Sequence, residues 1–406
     1  MEYPTACFAV LSDPHIYAPQ LGLTGPAFER FLAHSPNMPV ESPALLHRAV
    51  DEILESPAEF LLIPGDLTNY GEAVSHRLAV AELSRLRQAG KRVFVVPGNH
   101  DIWDGLAYQY RGRVRRPVPS VAPAEFVALY DDLGYRQAFC RDEHSLSYGA
   151  EVAPGLWLLA LDTCRYDENR PGCEPVVGGR LRQGTRKWLA GMLEEARCRD
   201  KAVMVMCHHG LVEHWDGQHW LRWNYILPNY RELGRYLAQN GVRLGFTGHD
   251  HASDIACLAT AAGPFYDVST GSLASTGHTW RLCRLAGDSL TVETTSLRDS
   301  FLPGTDFSRR SRRAIERAVY RKAYRACRAV RMPPKDADYL AKTLAVVFRA
   351  HNEGDEDPTR LPHIDPARLG ALGRMVYASQ RFAFENLTKN PWPPDNQAVL
   401  RWPKNS

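Results

Sequence analysis

The segment RVFVVPGNHD, residues 92–101, joins an apolar run to a group of polar side chains. Valine and phenylalanine dominate the run RVFVV, and β-branched and aromatic residues favour a buried strand. Proline and glycine then end the strand, and Asn99, His100 and Asp101 follow at once. The segment therefore predicts a buried strand whose carboxyl end carries side chains capable of proton transfer or metal binding.

The same arrangement recurs along the chain. Five further apolar runs end at glycine or polar residues: ACFAVLSD, EFLLIPGD, LWLLALD, AVMVMCHH and VRLGFTGH. Apolar residues at helical spacing lie between several of them, around 43–56, 72–90, 183–198 and 229–239. Strands that alternate with helices predict a layered α/β core.

The pattern changes twice in the second half of the chain. After Gly248, the runs FYDVSTGS, WRLCRLAG and SLTVETTS follow one another without helices, which predicts the antiparallel part of a mixed sheet. From about residue 302, three segments with helical spacing are separated by proline and glycine. We therefore predict two domains, 1–301 and 302–406, the second a helical appendage that ends in a tail with proline and tryptophan.

Composition places the chain among ordinary soluble proteins. Its 406 residues are 44% hydrophobic and 23% charged, values close to the average of globular domains. The first residues lack the basic and apolar regions of a signal peptide, and no run approaches the roughly 20 apolar residues of a membrane span. We expect a cytoplasmic protein without a membrane partner. The nine cysteines form no CxxC motif, so neither a zinc knuckle nor a disulfide framework is expected.

Positive charge is concentrated in one segment. Residues 308–331 contain nine Arg and one Lys against one Glu, whereas the whole chain has a net charge of +3. Arg317, Arg321, Arg325 and Arg328 recur at helical spacing, so they share one face. This face could bind phosphate or nucleic acid, or it could pair with acids elsewhere in the chain. Because the remainder of the chain is net acidic, we favour the pairing and do not expect a nucleic-acid partner.

Nearly every one of the six runs ends in residues that can bind metal ions or transfer protons. These are Asp13, His15, Asp66, Asn99, His100, His208, His209, His249 and His251. The carboxyl ends of strands in an open α/β sheet lie along one edge, so residues distant in sequence would meet there. Carboxylates, imidazoles and one amide without a cysteine suit Mn, Fe, Zn or a similar ion. The set is large enough for two divalent ions that share a carboxylate.

The ordered motifs Asp-x-His, Gly-Asp, Gly-Asn-His-Asp, His and Gly-His-x-His resemble those of the calcineurin-like metallophosphoesterases over about residues 8–251. The resemblance is closest to the bacterial cyclic-nucleotide phosphodiesterase branch. It implies a four-layer α/β/β/α sandwich of mixed sheets for a catalytic domain at 1–301, followed by the C-terminal helical appendage. It also implies a dinuclear metal-dependent phosphohydrolase that acts on cyclic nucleotides or other small phosphodiesters.

The resemblance also implies a role for each motif residue. Asp13, His15 and His251 would bind the first ion, Asn99, His208 and His249 the second, and Asp66 would bridge the two. His100 would lie beside the phosphate as electrostatic stabiliser and general acid, while a metal-bridging hydroxide attacks phosphorus in line with the leaving oxygen. The catalytic residues are thus His100, Asp66 and Asn99. Asn99, His100 and His209 are expected to contact substrate, although His209 could instead support a neighbouring ligand.

At two places the sequence differs from the motifs of other subclasses of this superfamily. Purple acid phosphatases carry tyrosine at the position of Asn69, and protein Ser/Thr phosphatases carry GDxVDRG where this chain has GDLTNYG. Neither subclass is therefore expected. Three alternatives stay open: a phosphomonoesterase, a nuclease that uses the arginine-rich helix, and a non-catalytic protein on the same fold, which would normally lack some of these ligands.

Two loops and two aspartates carry further expectations. The loop 213–230, rich in histidine and aromatic residues, could stack on a base, but contact with the helical appendage explains its composition more simply. The loop 16–43 is long enough to form a lid over the site. Asp101 and Asp250 are expected to support the turns rather than to bind metal.

Overall fold

The computed structural model describes residues 2–354, 356–389 and 393–403. Its strands are β1 (Tyr3–Leu11), β2 (Phe60–Ile63), β3 (Arg92–Val95), β4 (Tyr108–Arg111), β5 (Val114–Pro117), β6 (Cys140–Arg141), β7 (Tyr148–Ala153), β8 (Leu156–Leu161), β9 (Ala202–Cys207), β10 (Leu244–Thr247), β11 (Asp254–Leu258), β12 (Phe265–Ser269), β13 (Thr279–Gly287), β14 (Ser289–Ser296) and β15 (Gln397–Arg401). Its α-helices are α1 (Pro26–Leu32), α2 (Ser42–Glu55), α3 (Ala73–Gln88), α4 (Pro123–Leu129), α5 (Gln183–Cys198), α6 (Gln218–Leu221), α7 (Tyr230–Gln239), α8 (Phe307–Ala329), α9 (Pro334–Glu353) and α10 (Ala371–Asn386). Short 3-10 helices lie at Pro19–Leu21, Asp131–Leu133, Tyr135–Gln137, Tyr166–Glu168 and Pro366–Arg368. The strands predicted before the motifs and the four helices predicted between them are therefore confirmed.

The strands form two large mixed sheets and one hairpin, β4–β5. The first sheet has the order β15-β14-β13-β1-β2-β3, and the second has the order β11-β12-β10-β9-β8-β7-β6. Strands β1, β2 and β3 are parallel in the first sheet, as are β8, β9, β10 and β12 in the second. Parallel neighbours need long crossover connections. Helices α2, α3, α5 and α7 supply four of them, which is why strands and helices alternate in the sequence, and strand β11 lies in the connection from β10 to β12.

The two sheets pack face to face, and helices cover them. The Phe8 ring of β1 meets the Phe246 ring of β10 edge to face, with centroids 5.3 Å apart. Successive residues of β9 face opposite sides, as expected for a strand. Met204 and Met206 belong to the core between the sheets, whereas Val203 and Val205 pack with α5 and α7. The predicted four-layer α/β/β/α sandwich is therefore confirmed.

One part of the second sheet differs from the sequence-based prediction. The run 265–269 was expected to be antiparallel, but β12 pairs parallel with β10 and antiparallel with β11. Strand β11 turns back directly after the last histidine motif and inserts at the edge of the sheet, which leaves β12 beside β10. Such a placement depends on pairing between distant segments, and alternation within the run does not encode it.

The C-terminal segment has an apolar cluster of its own. Helices α9 and α10 contribute Leu340, Val347 and Phe384, and the segments that connect the helices contribute Met332 and Leu369. Trp215 of the loop 213–230 joins them. The division at residue 301 stays a prediction, but the tail beyond it returns to the first sheet. There β15 pairs antiparallel with β14 and forms the edge strand. Within the described ranges, no helix combines the length and apolar composition that a membrane span requires.

A buried polar chain attaches α9 to the second sheet. His351 of α9 donates from Nδ1 to Glu356 Oε1 at 2.7 Å and lies 3.8 Å from Asp254 Oδ2 of β11. Asp254 Oδ1 accepts a hydrogen bond from His214 Nδ1 at 3.0 Å, and His214 Nε2 is 3.3 Å from Asp267 Oδ2 of β12. Burial lowers the pKa of His351, but the two neighbouring carboxylates outweigh this effect and raise it to about 9. The attachment of α9 therefore depends on a charged imidazole.

We predict that Leu400→Ala destabilises the protein by about 2–5 kcal/mol, because it opens a cavity beside a core that the tail strand completes. Leu400 is fully buried against the first sheet. The control is Val399→Ala, one residue away on the same strand, where the side chain is 48% exposed. That change should cost less than about 0.5–1 kcal/mol. Urea unfolding of both variants measures the difference, and equal costs would show that β15 does not contribute to the core.

We also predict that stability falls between pH 6.5 and pH 9 because His351 loses its proton. Its folded pKa of about 9 exceeds the usual 6.5. The charged ring therefore contributes its full stability below pH 6.5, roughly 3 kcal/mol, and this contribution is lost as pH rises through 9. His351→Gln should reduce the slope of the unfolding free energy over this range, whereas the exposed His363→Gln should keep the wild-type slope. An unchanged slope in His351→Gln would contradict the assignment.

Candidate metal centre

The motif residues meet where strands of both sheets end. Asp13 follows β1, Asp66 follows β2 and Asn99 follows β3 in the first sheet, while His208 follows β9 and His249 follows β10 in the second. Each of these five side chains is at most 5% exposed. The centre therefore lies at the shared carboxyl edge of the two sheets, with ligands from both.

The predicted ligands form two groups that share one carboxylate. In the first group, side-chain atoms of Asp13, His15, Asp66 and His251 lie within 4.8 Å of one another, and in the second those of Asp66, His208 and His249 do so. Asp66 Oδ2 is 3.6 Å from His15 Nε2 and 3.4 Å from His208 Nε2. Asn99 Oδ1 is 3.0 Å from His208 Nε2, so Asn99 joins the second group. The two groups contain the residues that the resemblance implies for each ion, and Asp66 belongs to both.

The backbone of this centre is strained. Asp13, His15, Asp66, His249 and His251 all have positive φ, between 41° and 69°. This region is sparsely populated by residues other than glycine, and each such residue costs on the order of 1–3 kcal/mol. The turns therefore hold five predicted ligands in a conformation that the surrounding fold must impose. Strain of this kind is typical of functional sites.

Two glycines allow the turns to approach each other. A Cβ on Gly98 would collide with the Asp66 backbone and carboxylate, and a Cβ on Gly248 would collide with Ser12 Oγ and Asp13 Oδ2. Because glycine stands at both positions, the third motif packs directly on Asp66 and the last motif packs directly on Asp13. The close contact places the His249 backbone N–H 3.1 Å from Asp13 Oδ2, to which it donates a hydrogen bond.

Hydrogen bonds orient two of the histidine rings. His208 Nδ1 lies 2.8 Å from the Pro64 carbonyl oxygen, and His249 Nε2 lies 3.2 Å from the Asn224 carbonyl oxygen. Each of these nitrogens donates its proton to the carbonyl, which leaves His249 Nδ1 with a lone pair. Burial lowers the pKa of His208, but the charge of Asp66 outweighs this effect and raises it to about 9, so without a metal ion His208 Nε2 carries a proton and faces Asn99 Oδ1 at 3.0 Å. A hydrogen bond from the second ring nitrogen is the usual way in which proteins orient a histidine ligand.

The protonation states fit a cation-binding centre. Burial lowers the pKa of His15 to about 3 and that of His249 well below its usual range, so both rings are neutral and can coordinate metal. Burial opposes ionisation of Asp66, but His208 and His100 hold its pKa well below the usual range. Within the described residues, Asn99 Nδ2 and His15 Nδ1 are buried without hydrogen-bond partners. Buried carboxylates, neutral imidazoles and an amide suit two divalent ions.

No thiol takes part in this centre. Cys207 directly precedes His208, but its Sγ donates to the His209 carbonyl oxygen at 3.1 Å. Burial also raises the pKa of the Cys207 thiol well above its usual range, so the sulfur is protonated. The ligand set therefore consists of oxygen and nitrogen atoms only, as the sequence predicts.

His100 lies beside the metal ligands and has a separate partner. Its backbone N–H donates to Asp66 Oδ1 at 2.9 Å, and its Nδ1 lies 3.1 Å from Asp104 Oδ2. Burial lowers the pKa of His100, but the charges of Asp66 and Asp104 overcome this effect and raise it to about 9. Asp104 was missed by the sequence analysis, although its position four residues after His100 was a signal. The remaining ring nitrogen, Nε2, is free to act on a ligand.

His209 does not occupy the position expected of a substrate-binding residue. Its ring is fully buried, with Nδ1 2.7 Å from Thr163 Oγ1 and Nε2 2.9 Å from the Val177 carbonyl oxygen. Both ring nitrogens are therefore engaged, and neither can bind a substrate. The ring instead packs against His249, with centroids 4.5 Å apart. These contacts contradict the expectation that His209 binds substrate. They favour the alternative interpretation, in which His209 supports the neighbouring predicted ligand His249.

A catalytic cavity of about 280 Å³ opens above the metal ligands. Its floor contains His15, Asp66, Asn99 and His100 together with His249 and His251. Residues 35–37 of the loop 16–43 line one side, so this loop does flank the site. Tyr70, Arg222 and Tyr225 also line the cavity, and Ile315, Val319, Lys322 and Phe348 extend into its wall from α8 and α9. This part of the wall is not predicted from the sequence, because helical spacing does not show where a helix docks.

The loop 213–230 contacts both the helical appendage and the catalytic cavity. Trp220 packs edge to face on Phe382 of α10, with centroids 5.7 Å apart, in agreement with the predicted contact. Tyr225 stacks on His249, with centroids 4.6 Å apart, and the Arg222 guanidinium lies 3.6 Å above the Tyr225 ring. The aromatic residues therefore divide between the two roles proposed for the loop.

The three aspartates near the motifs have structural partners. Asp101 is fully buried and accepts hydrogen bonds from the backbone N–H groups of Leu67, Thr68 and Gly98. Asp250 binds Arg222 at 2.6 Å and Gln218 at 2.9 Å. Asp162 accepts hydrogen bonds from the backbone of Leu146 and Cys164. Each supports a turn, as expected for Asp101 and Asp250.

The four-layer sandwich and the two carboxylate–histidine groups at its strand ends together define a metallohydrolase of the phosphoesterase type. The model of the calcineurin-like phosphoesterase family matches residues 8–253. The chain therefore belongs to this family, and the C-terminal helices lie beyond the matched region.

Solved structures align with the chain, and the first of the two that follow has the same fold. A dimetal phosphatase from Danio rerio aligns with a TM-score of 0.51 and 15% sequence identity, covering 72% of this chain and 97% of that one. A purple acid phosphatase from yellow lupin (Lupinus luteus) seeds aligns with a TM-score of 0.43 and 11% identity, covering 73% of this chain and 53% of that one. No curated protein has a matching sequence.

We predict that His249→Ala lowers the amount of metal bound per chain, because the second group loses an imidazole that the fold holds ready. Asp250→Asn should leave the bound metal unchanged, since Asp250 faces Arg222 and Gln218 rather than the ligands. Both variants are loaded with Mn²⁺, dialysed and measured by elemental analysis. Equal metal content in His249→Ala and wild type would contradict the assignment of His249 as a ligand.

Proposed function

We propose that this protein is a dinuclear metal-dependent phosphodiesterase that hydrolyses cyclic nucleotides or other small phosphodiesters in the cytoplasm, with Mn, Fe or Zn as the bound ions. The observation that carries the proposal is the pair of ligand groups that share Asp66 on the floor of the catalytic cavity. Two ions held there would supply a nucleophile at neutral pH and would stabilise charge on the phosphoryl oxygens.

His100 and Asn99 are placed to handle the phosphate. His100 is anchored through its backbone to Asp66 and through Nδ1 to Asp104, so its ring has one orientation and Nε2 is left for the substrate. A protonated Nε2 can donate first to a phosphoryl oxygen and then to the leaving oxygen. The Asn99 amide nitrogen, buried without a partner among the described residues, offers a second donor beside it.

The size and charge of the catalytic cavity support a small diester. A volume of about 280 Å³ lies at the lower end of the range for small-molecule sites. Arg222 is the arginine in its lining, and its charge is balanced by Asp250. A phosphodiester carries one negative charge, whereas a phosphomonoester carries close to two at neutral pH. Among the described lining residues no free arginine is thus available to a monoester, and the remaining cation, Lys322, belongs to the wall that α8 forms.

The arginine-rich helix gives little support to the nuclease alternative. Arg321 donates to the Ala33 carbonyl oxygen, and Arg328 donates to the Met332 carbonyl oxygen. Among the described residues no arginine of the predicted row pairs with an acid, whereas on the same helix Arg310 pairs with Glu41 at 2.8 Å and Arg312 with Glu353 at 3.4 Å. Part of the row is therefore tied to the protein, and we keep nucleic acid as a substrate to be tested rather than a proposed partner.

The test is hydrolysis of bis(p-nitrophenyl) phosphate by the Mn²⁺-loaded protein, with p-nitrophenyl phosphate and a single-stranded oligonucleotide assayed beside it. Asp66→Ala and His251→Ala should abolish diesterase activity, because the first removes the shared carboxylate and the second a ligand of the first group. His100→Ala should lower kcat by about 10²–10⁴-fold, as expected for loss of a general acid.

The control is His363→Ala, an exposed histidine of the helical appendage, which should keep wild-type kcat. Intact diesterase activity in Asp66→Ala would refute the two-metal assignment. A wild-type preference for the monoester or the oligonucleotide would replace the proposed substrate class by the corresponding alternative.

A further inference from the structure

One face of α8 forms part of the catalytic cavity. Ile315, Ala318, Val319 and Lys322 line it together. Their spacing of three, four and seven residues places them on a single face of a helix. The neighbouring face carries the arginine row. The helix thus lines the space above the metal ligands with an apolar strip, and the strip ends in one cation, Lys322.

Lys322 is the one lysine among nine arginines in the segment 308–331. Within the described parts of the chain, no carboxylate lies within 4.0 Å of its ammonium group, whereas Arg310, Arg312 and Arg349 of the same helical region pair with Glu41, Glu353 and Glu316. Its charge is therefore not balanced by a neighbouring acid. A lysine also reaches further from a helix than its apolar neighbours and acts as a mobile point charge.

The other side chains of the wall do not supply a counter-charge. Phe348 and Tyr225 present aromatic rings to the same cavity. The Arg222 guanidinium lies between these two rings, 3.6 Å from the Tyr225 centroid and 5.3 Å from the Phe348 centroid, and it is paired with Asp250. Among the described residues of this wall, Lys322 is thus a cation without an ion-pair partner.

We propose that Lys322 determines substrate specificity by binding an anionic group that the substrate carries beyond the scissile phosphate. This inference rests on the proposed function, since it assumes a phosphodiester on the metal ligands. The favoured substrates are then small phosphodiesters with a second negative group, a carboxylate or a further phosphate, attached to the part that points toward α8. Phe348, which lines the same wall, contacts the organic portion between the two charges.

The proposed specificity belongs to this chain and not to the family as a whole, because of where Lys322 lies in the sequence. The family match ends at residue 253, so α8 lies outside the region that defines the family. The metal ligands and His100 serve any phosphodiester, because they act on the phosphate itself. Discrimination between substrates must then come from side chains farther out, and Lys322 is the unbalanced charge among them.

The experiment uses two diesters with the same leaving group, 4-nitrophenyl phenyl phosphate and 4-nitrophenyl 4-carboxyphenyl phosphate. The ratio of kcat/KM for the carboxylated diester to that for the diester without the carboxylate is measured for the Mn²⁺-loaded full chain. Lys322→Met should lower this ratio about fivefold, chiefly through KM of the carboxylated diester, a change typical of a partly exposed ion pair. Lys322→Arg should restore most of the ratio, because it keeps the charge.

The matched control is Arg325→Met, one helical turn further along α8 and away from the cavity lining. It removes the same charge and should leave the ratio at the wild-type value. An unchanged ratio in Lys322→Met would overturn the proposal, and so would an equal decrease in Arg325→Met, which would indicate a general charge effect. Failure of the wild type to hydrolyse either diester would instead refute the proposed function.

Discussion

The buried carboxylate of Asp66 is the interaction on which the centre depends. It lies at the end of β2, accepts a hydrogen bond from the His100 backbone, and faces His15 of the first sheet and His208 of the second. A carboxylate this deeply buried is stable only when positive charge or hydrogen bonds surround it. The two sheets must therefore be held in one relative position, because ligands from both compensate the same charge.

The fold holds this position at a cost in backbone strain. Five predicted ligands adopt positive φ, and the turns that carry them fit together only because glycine stands at positions such as 98 and 248. The core between the sheets, with Phe8 against Phe246, supplies the packing that resists relaxation of these turns. The packing that stabilises the sandwich thus also holds the predicted ligands in their strained conformation.

The C-terminal helices extend the centre into a pocket. They are attached through the buried chain from Asp267 to His351, through Trp215 in their apolar cluster, and through β15 at the edge of the first sheet. These three attachments place α8 and α9 beside the metal ligands. A separate stack of His249, Tyr225, Arg222 and Phe348 runs from a predicted ligand to α9. The appendage therefore forms part of the wall of the cavity above the predicted metal ligands.

The amino-acid sequence by itself determined the layered α/β core, the strand ends that carry the ligands, and the partition of those ligands by resemblance. Local signals suffice for these features, because strand runs, turn glycines and the order of motifs are all written in short segments. Tertiary structure decided the rest. The parallel pairing of β12, the return of β15, the burial of His209, the partnership of His100 with Asp104 and the position of Lys322 depend on contacts between segments distant in the chain. No periodicity within a segment encodes such contacts, since they arise only when the sheets and helices pack.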